Sequence, residues 1–425
     1  MGERNAAITV YLSLVWILLV AFIGSVLESA SLQVAKNYKR ADVERAVECV
    51  FAEYQKELLE EYGIFAFDAG YETGNYEEQM ITDRINFYAG GNSEHAIERI
   101  KFLSDDGGQV FYEQICRYME QKYGIGFLRD KIGMTSFWKS QENLAKDMQA
   151  ENTVNQRELD QFSEGIPEDT SILGELNQKM NSPILSQVMP EGKSVSEKQI
   201  ELGKTLSKRD RNRGYGVFET KQESTTLSAL LLGEYLLKHF VSAVSRSGNV
   251  LRYEIEYLIG GKGSDRENLE IVVKKLLWFR LVPNYTSIQK DAAKRAEAEA
   301  LAAGICALLA VPPATEVVAQ LILFAWAYEE SVNDIQKLLA GEKIPLLANG
   351  SNALSYKEYL RILLFLERKE TLCMRALDLI EINLRGIYGQ EYFHADQCVV
   401  KMEVRSTCSF RRGITYQFRT SRIYQ

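Results

Sequence analysis

The chain has 425 residues, with 50 basic and 58 acidic side chains and a formal net charge of −8. That balance argues against a dedicated nucleic-acid binder, which needs a strongly basic face. A hydrophobic fraction of 46% in a chain this long excludes general disorder and fits one anchor plus one or two folded domains. Seven prolines and 25% charged residues point to a helix-rich body.

Residues 6–27, AAITVYLSLVWILLVAFIGSVL, contain no Asp, Glu, Lys, Arg, His, Pro, Asn or Gln. As a helix they are about 33 Å long, enough to cross a hydrocarbon core of ~30 Å. Helix also satisfies every backbone polar group in lipid. A membrane-spanning helix is therefore predicted, with membrane lipid as its partner. A cleaved signal peptide fits less well, because the run is long and cleavage after Ala30 would put Glu28 at the minus-three position. A soluble core helix is the other rival.

Neither Gly nor Pro occurs across residues 25–62. Val43, Ala46, Val47, Val50, Phe51, Tyr54, Leu58 and Leu59 follow the spacing of one helix face, and Arg40, Glu44, Arg45, Glu48, Gln55 and Lys56 fill the other. The spacing predicts one helix over residues 8–61, about 80 Å long, capped at Gly63. One basic residue precedes the span, Arg4, and four follow it, Lys36, Lys39, Arg40 and Arg45. Alone, that asymmetry places the large body in the cytoplasm, though the rule weakens for large domains.

The remainder divides into four parts. Residues 63–135 form an N-terminal α+β part, with short strands predicted at 64–67, ended by Asp68 and Gly70, and at 85–88, closed by Gly90-Gly91-Asn92. A helix follows at 111–123. Residues 136–213 are rich in Gln, Asn, Glu, Lys and Ser and read as a flexible or projecting insertion. Solvated helices are predicted there at 141–161 and 194–211, with Lys208, Arg209, Arg211 and Arg213 at its solvated end. A coiled-coil partner site is the alternative, but the apolar spacing is sparse.

Residues 214–395 form a helical body. A buried helix is predicted at 227–244 and a half-buried strand at 252–259, where polar and apolar residues alternate. The glycine loop at 260–265 lacks the G-x-x-x-x-G-K-[ST] spacing of a phosphate cradle, and Ser264 with Glu267 forms a capping box instead. An alanine-rich helix at 291–309 breaks at Pro312-Pro313, and a long helix at 317–339 stops at Gly341. Glu297, Glu299, Glu316 and Gln320 interrupt the apolar runs, so a buried hairpin is expected rather than a second span. Ser355 and Glu358 make another capping box, and a further helix covers 371–384. Residues 396–425 alternate as a C-terminal β-hairpin with a turn at 411–413. Its Lys401, Arg405, Arg411, Arg412, Arg419 and Arg422 either solvate an exposed face or touch anionic lipid or wall polymer.

No motif for catalysis is present, and the chain is read as a non-enzyme with no catalytic, cofactor-binding or metal residue assigned. The histidines are His95, His239 and His394; none has a partner at zinc-helix spacing. His394 with Cys398 and Cys408 offers three ligands in no zinc pattern. Cys49, Cys116, Cys306 and Cys373 sit in apolar helical patterns as small hydrophobes. Cys398 and Cys408 are either free or paired if that end is exported.

The segments ITVYLSLVWILLVAFIGSVLESA, YGIFAFD, GVFETKQE, LRYEIEYLIGGKGSDRENL, ILFAWAYEESVNDIQKLLAGEKIPLL and YKEYLRILLFL carry a resemblance. The chain resembles an uncharacterised family of single-span Gram-positive proteins, commonly encoded with tight-adherence (Tad) type IV pilus machinery and similar in plan to its pseudopilin-like subunits. The resemblance implies an extracellular body and no known activity. One departure is that the span holds no acidic residue before Glu28, where prepilins carry a glutamate at the fifth mature position.

The fold expected is α+β and mostly helical: a transmembrane/stalk helix over residues 1–62, a helical body with short strands, and a C-terminal hairpin. The function expected is a single-pass, membrane-anchored, non-catalytic structural or assembly component of such a pilus apparatus, partnered by other pilus-locus membrane proteins or by itself. The alternative is a membrane-tethered sensor or binding module. A tethered hydrolase built from acidic residues is a third reading and the least supported.

Overall fold

A computed structural model describes residues 2–91, 93–124, 132–162, 182–218, 225–245, 249–308, 314–347, 350, 353–410 and 413–424. Helix α1 (Gly2–Ala52) runs unbroken from the apolar span into the head. The expected rod to residue 61 stops early. At Tyr54 and Gln55 the backbone leaves the helix to pair with the neighbourhood of β1 (Phe67–Asp68): Tyr54 bridges Phe67, and the Gln55 N–H donates to the Ala66 carbonyl at 2.8 Å. Helix α2 (Lys56–Tyr62) then restarts and ends at Gly63, whose φ of +66° is the expected left-handed cap.

The second half of α1 lies on a four-stranded antiparallel sheet. Its central strand is β5 (Cys398–Ser409), with β2 (Ser93–Phe102) along one side and β6 (Thr415–Ile423) along the other. Val399 pairs with both Phe67 and Phe102, so β1 lies on the β6 side, end to end with it. Helix α3 (Glu78–Ala89) packs beside α1 on the same face. Residues 85–88 are therefore helix, not strand: Ile81, Ile85 and Ala89 recur every fourth residue and bury one stripe. The predicted strand at 64–67 contracts to Phe67–Asp68.

The larger core is helical. Its centre is the pairing of α9 (Asp265–Lys290) with α11 (Thr315–Ala340), surrounded by α4 (Asp105–Tyr123), α7 (Thr226–His239), α8 (Glu254–Gly260), α12 (Tyr356–Leu366) and α13 (Lys369–Ile387). Both predicted capping residues, Ser264 and Ser355, are in place. Residues 252–259 are corrected from strand to loop and helix. The alternation misleads because its polar members, Glu254 and Glu256, are as buried as Ile255 and Tyr257.

The 136–213 stretch is also corrected where it is described. Helix α5 (Thr135–Phe162) buries Trp138, Gln141 and Ala145 against the body, so its start does not project. Residues 194–211 hold no α-helix: a 3-10 helix, Leu202–Lys204, is followed by a turn in which the Lys208 and Arg209 N–H groups donate to the Thr205 carbonyl. In the helical hairpin, α10 (Ala292–Leu308) buries only Ala298, Ala302 and Cys306 on α11 and leaves most of its surface exposed. Pro312-Pro313 and Arg411-Arg412, where breaks are expected, fall outside the described residues.

Candidate functional site

Among the described residues, α1 is the one helix long and apolar enough to cross a membrane, and none of its most apolar stretch is buried. Trp16, Leu18 and Phe22 are each more than 65% exposed. A contiguous apolar surface of this length far exceeds the few hundred Å2 that soluble monomers leave in water. It fits a single-pass anchor.

The seat of that anchor is built from both ends of the chain. Val43, Ala46, Val47 and Val50 are completely buried at three-four spacing, against Ile81 and Ile85 of α3 and Phe418 of β6. Phe51 meets Phe67 edge-on at 5.2 Å and Tyr424 at 4.8 Å, and the Tyr424 hydroxyl donates to the Phe51 carbonyl. Arg422 of β6 pairs with Glu48 of α1. The hairpin's other described cations are paired as well: Arg405 and Arg419 with Glu98 of β2 at 3.3 and 2.5 Å, and Lys401, itself buried, with Glu113 of α4 at 3.5 Å. Arg405, Arg419 and Arg422 stay exposed to solvent while pairing with acids from distant segments, and only Lys401 is buried.

A second polar feature sits between the two cores. Residues 205–214 cross the body as a strap held by four carboxylates. Asp378 accepts from the Ser207 N–H at 2.8 Å, the Ser207 hydroxyl at 2.6 Å and the Tyr257 hydroxyl at 2.8 Å. Arg209 forks between Glu381 and Asp396, at 2.5 Å to each. Asp396 also accepts the Asn212 N–H at 2.8 Å, and Asp105 the Gly214 N–H at 3.0 Å. Burial pushes the Asp378 carboxyl up to about 6. Arg209, expected at a solvated end, is thus a half-buried cross-brace between buried carboxylates. No local signal in the sequence links residue 209 to 381 and 396.

Glu381, His394 and Asp396 bring ligand atoms within 4.8 Å of one another. The set does not fit a metal. Arg209 occupies both carboxylates, Arg385 holds Glu381 at 2.7 Å, and Arg385 also lies 2.7 Å from His394 Nδ1. Burial and the neighbouring Arg385 lower the His394 pKa, so its ring is neutral. Two cations already balance two anions, and a divalent ion would have to displace both. The trio His394, Cys398 and Cys408 is not assembled: Cys398 and Cys408 lie at opposite ends of β5, about 33 Å apart. That separation also rules out the disulfide between them, and all six cysteines are free.

The glycine loop is a cap. Its Lys262 N–H is taken by Asn268 Oδ1 at 2.7 Å, and Gly261 is the left-handed C-cap of α8. Asp265 spends its oxygens on the Arg252 and Tyr253 N–H groups and the Ser196 hydroxyl. A cavity of about 470 Å3 beside Lys193, Arg252 and Tyr253 is lined by groups already engaged, Lys193 with the Leu339 carbonyl and Tyr253 with the Ser196 N–H.

No curated protein and no solved structure matches the chain. A model of one family matches residues 163–352 and 348–410, which takes in the strap, the helical body and β5 but neither α1 nor β2. By that match, which spans more than half of the sequence, the chain belongs to the family of unknown function DUF5702.

Proposed function

We propose that the chain is a membrane-anchored structural or assembly subunit, pseudopilin-like in plan, that works with a tight-adherence type IV pilus or secretion apparatus and carries its body outside the cell. One observation carries the reading: the helix that crosses the bilayer is also, without a break, the helix seated on an antiparallel sheet of the head. A tether built only to hold a domain near lipid needs no such continuity. The cluster of Arg209, Arg385, Glu381 and Asp396 is internally neutralised, which favours an architectural role over chemistry there.

Crosslinking in native membranes, followed by identification of the bound proteins, tests the reading. Stoichiometric capture of pilus-locus membrane proteins or of further copies is the expected result. A monomer carrying a specific small ligand would refute it in favour of a tethered binding module. Protease added to intact protoplasts should cut the body; protection until lysis would refute the outward placement.

A further inference from the structure

Among the cavities of the described residues, the one of about 470 Å3 differs in charge. Five segments meet around it: the stretch from Met189 to Ser194, the loop 243–245 after α7, Arg252 and Tyr253 before α8, Leu269 of α9, and the end of α11 at Leu339 and Ala340. Its lining includes Lys193 and Arg252 and no acidic side chain. Other cavities have other signs. One of about 290 Å3 is walled by Asp68, Glu72 and Glu391 without a cation. Another, of about 380 Å3, sets Arg280, Lys294 and Lys337 against Asp291, Glu330 and Asp334. In a chain of net charge −8, a wall charged by cations alone is a local exception.

The donors of this wall are only partly spent. Lys193 gives one N–H to the Leu339 carbonyl at 2.7 Å and keeps two. The Arg252 backbone N–H goes to Asp265, but its guanidinium, on an exposed side chain, has no acceptor among the described residues. Tyr253 is buried. Its hydroxyl oxygen accepts the Ser196 N–H at 3.0 Å, and its own proton has no acceptor among the described residues. A buried donor left unmatched costs free energy until an acceptor arrives. The nearest buried acids do not line the cavity and are taken up by other donors: Asp265 by the Arg252 and Tyr253 N–H groups and the Ser196 hydroxyl, Glu254 by the Val241 N–H and the amides of Asn249 and Asn383. Much of the remaining wall is apolar, with Met189, Val244, Leu269 and Leu339.

We infer that this cavity holds a small organic anion, with a carboxylate or phosphate head against Arg252, Lys193 and the Tyr253 hydroxyl and an apolar body on Leu269 and Leu339. The volume falls in the range of small-molecule sites, about 300–1,000 Å3. A guanidinium fork matches a head with two oxygens, and Lys193 adds a second positive charge to it. A cationic ligand would meet two like charges there, and an uncharged one would forgo both charge-assisted bonds. The inference concerns the helical body and rests on neither the membrane anchor nor the pilus role. A chain that holds the anion and still crosslinks to its partners satisfies both.

The test uses the full chain in phosphatidylcholine nanodiscs, titrated calorimetrically with phenyl phosphate, with benzoate, and with uncharged benzyl alcohol as the control. Saturable binding of one molecule per chain is expected for at least one of the two anions, about tenfold or more tighter than for benzyl alcohol. The tighter anion identifies the head. Arg252→Gln should weaken that anion about tenfold, and Arg252→Lys should fall between. Ala340→Trp, at an exposed position on the wall, fills the space without changing charge and should abolish binding. Melting temperatures of the variants should stay near wild type, because both side chains are exposed. Equal affinity for anion and alcohol overturns the site, and so does the absence of saturable binding by either anion; neither result depends on a variant. Anion binding that survives both Arg252→Gln and Ala340→Trp lies elsewhere on the chain and overturns it too.

Discussion

Glu256 offers a quantitative check on the helical body. It is fully buried, and its Oε1 accepts the Ala243 N–H at 3.0 Å and the Tyr356 hydroxyl at 2.8 Å, while Oε2 has no partner. Burial pushes the carboxyl from its ordinary 4.5 up to about 7, and nearby Asp265 adds to the effect. Between those values the folded chain holds a proton that the unfolded chain has lost. Stability is therefore highest at acid pH and falls as pH rises through this window. The gap corresponds to about 3 kcal/mol, most of it lost between about pH 5 and about pH 8. Glu256→Gln keeps the accepting oxygen and removes the titration. It should leave stability near wild type at about pH 5 and exceed it by roughly 2–3 kcal/mol at about pH 8. Urea unfolding in detergent, followed by tryptophan fluorescence from Trp138, Trp278 and Trp326, measures both. The comparison between the two pH values cancels any fixed cost of the buried amide. Equal differences at the two pH values would refute the reasoning.

Arg209→Met should cost about 3–5 kcal/mol in the same assay, because Glu381 and Asp396 keep their burial and lose their shared cation. Arg209→Lys should fall between, lacking the fork that spans both carboxylates. Gly214→Ala should cost more than about 2 kcal/mol, since a Cβ there would lie 2.2 Å from the Ile100 carbonyl oxygen. Gly203→Ala, in the 3-10 turn just before the strap with open space around it, should stay within about 0.5 kcal/mol of wild type. Cys398 and Cys408 should resist a thiol reagent until the protein is unfolded, because both are buried and burial raises the Cys398 thiol. Rapid labelling of the native chain would contradict that.

The span, the stalk face of α1 and the helix caps at Ser264 and Ser355 were legible because each depends on residues a few positions apart. So was the hairpin, whose alternation from Met402 onward reports one buried face. Local pattern failed where a distant partner decided the outcome. Tyr54 on the apolar face and Gln55 on the polar face both fit a continuing helix, yet pairing with Phe67 and Ala66 ends it there. Glu254 and Glu256 imitated the solvent side of a strand because a buried carboxylate looks like an exposed one until its donors are known. The strap was hardest. Its polar composition suggested a loose insertion, and only Asp378, Glu381, Asp396 and Asp105, far along or behind in sequence, turn it into a brace.

The seat of α1 has a consequence for assembly. Its apolar stripe from Val43 to Phe51 is made long before β5 and β6, which complete its cover. Until residue 423 is in place, only α3, β1 and β2 can shield those side chains, and contacts spanning nearly the whole sequence must close over them. The helical body has no such dependence on β6, because α9 and α11 bury each other. A chain ended before residue 413 should therefore keep a protease-resistant helical body but lose protection around α1 and α3 beyond the membrane. Limited proteolysis with fragment masses distinguishes the two regions. Uniform resistance would mean that the seat stands without its final strand, and uniform digestion would mean that the two cores fold as one; either result refutes the division of labour drawn from the packing.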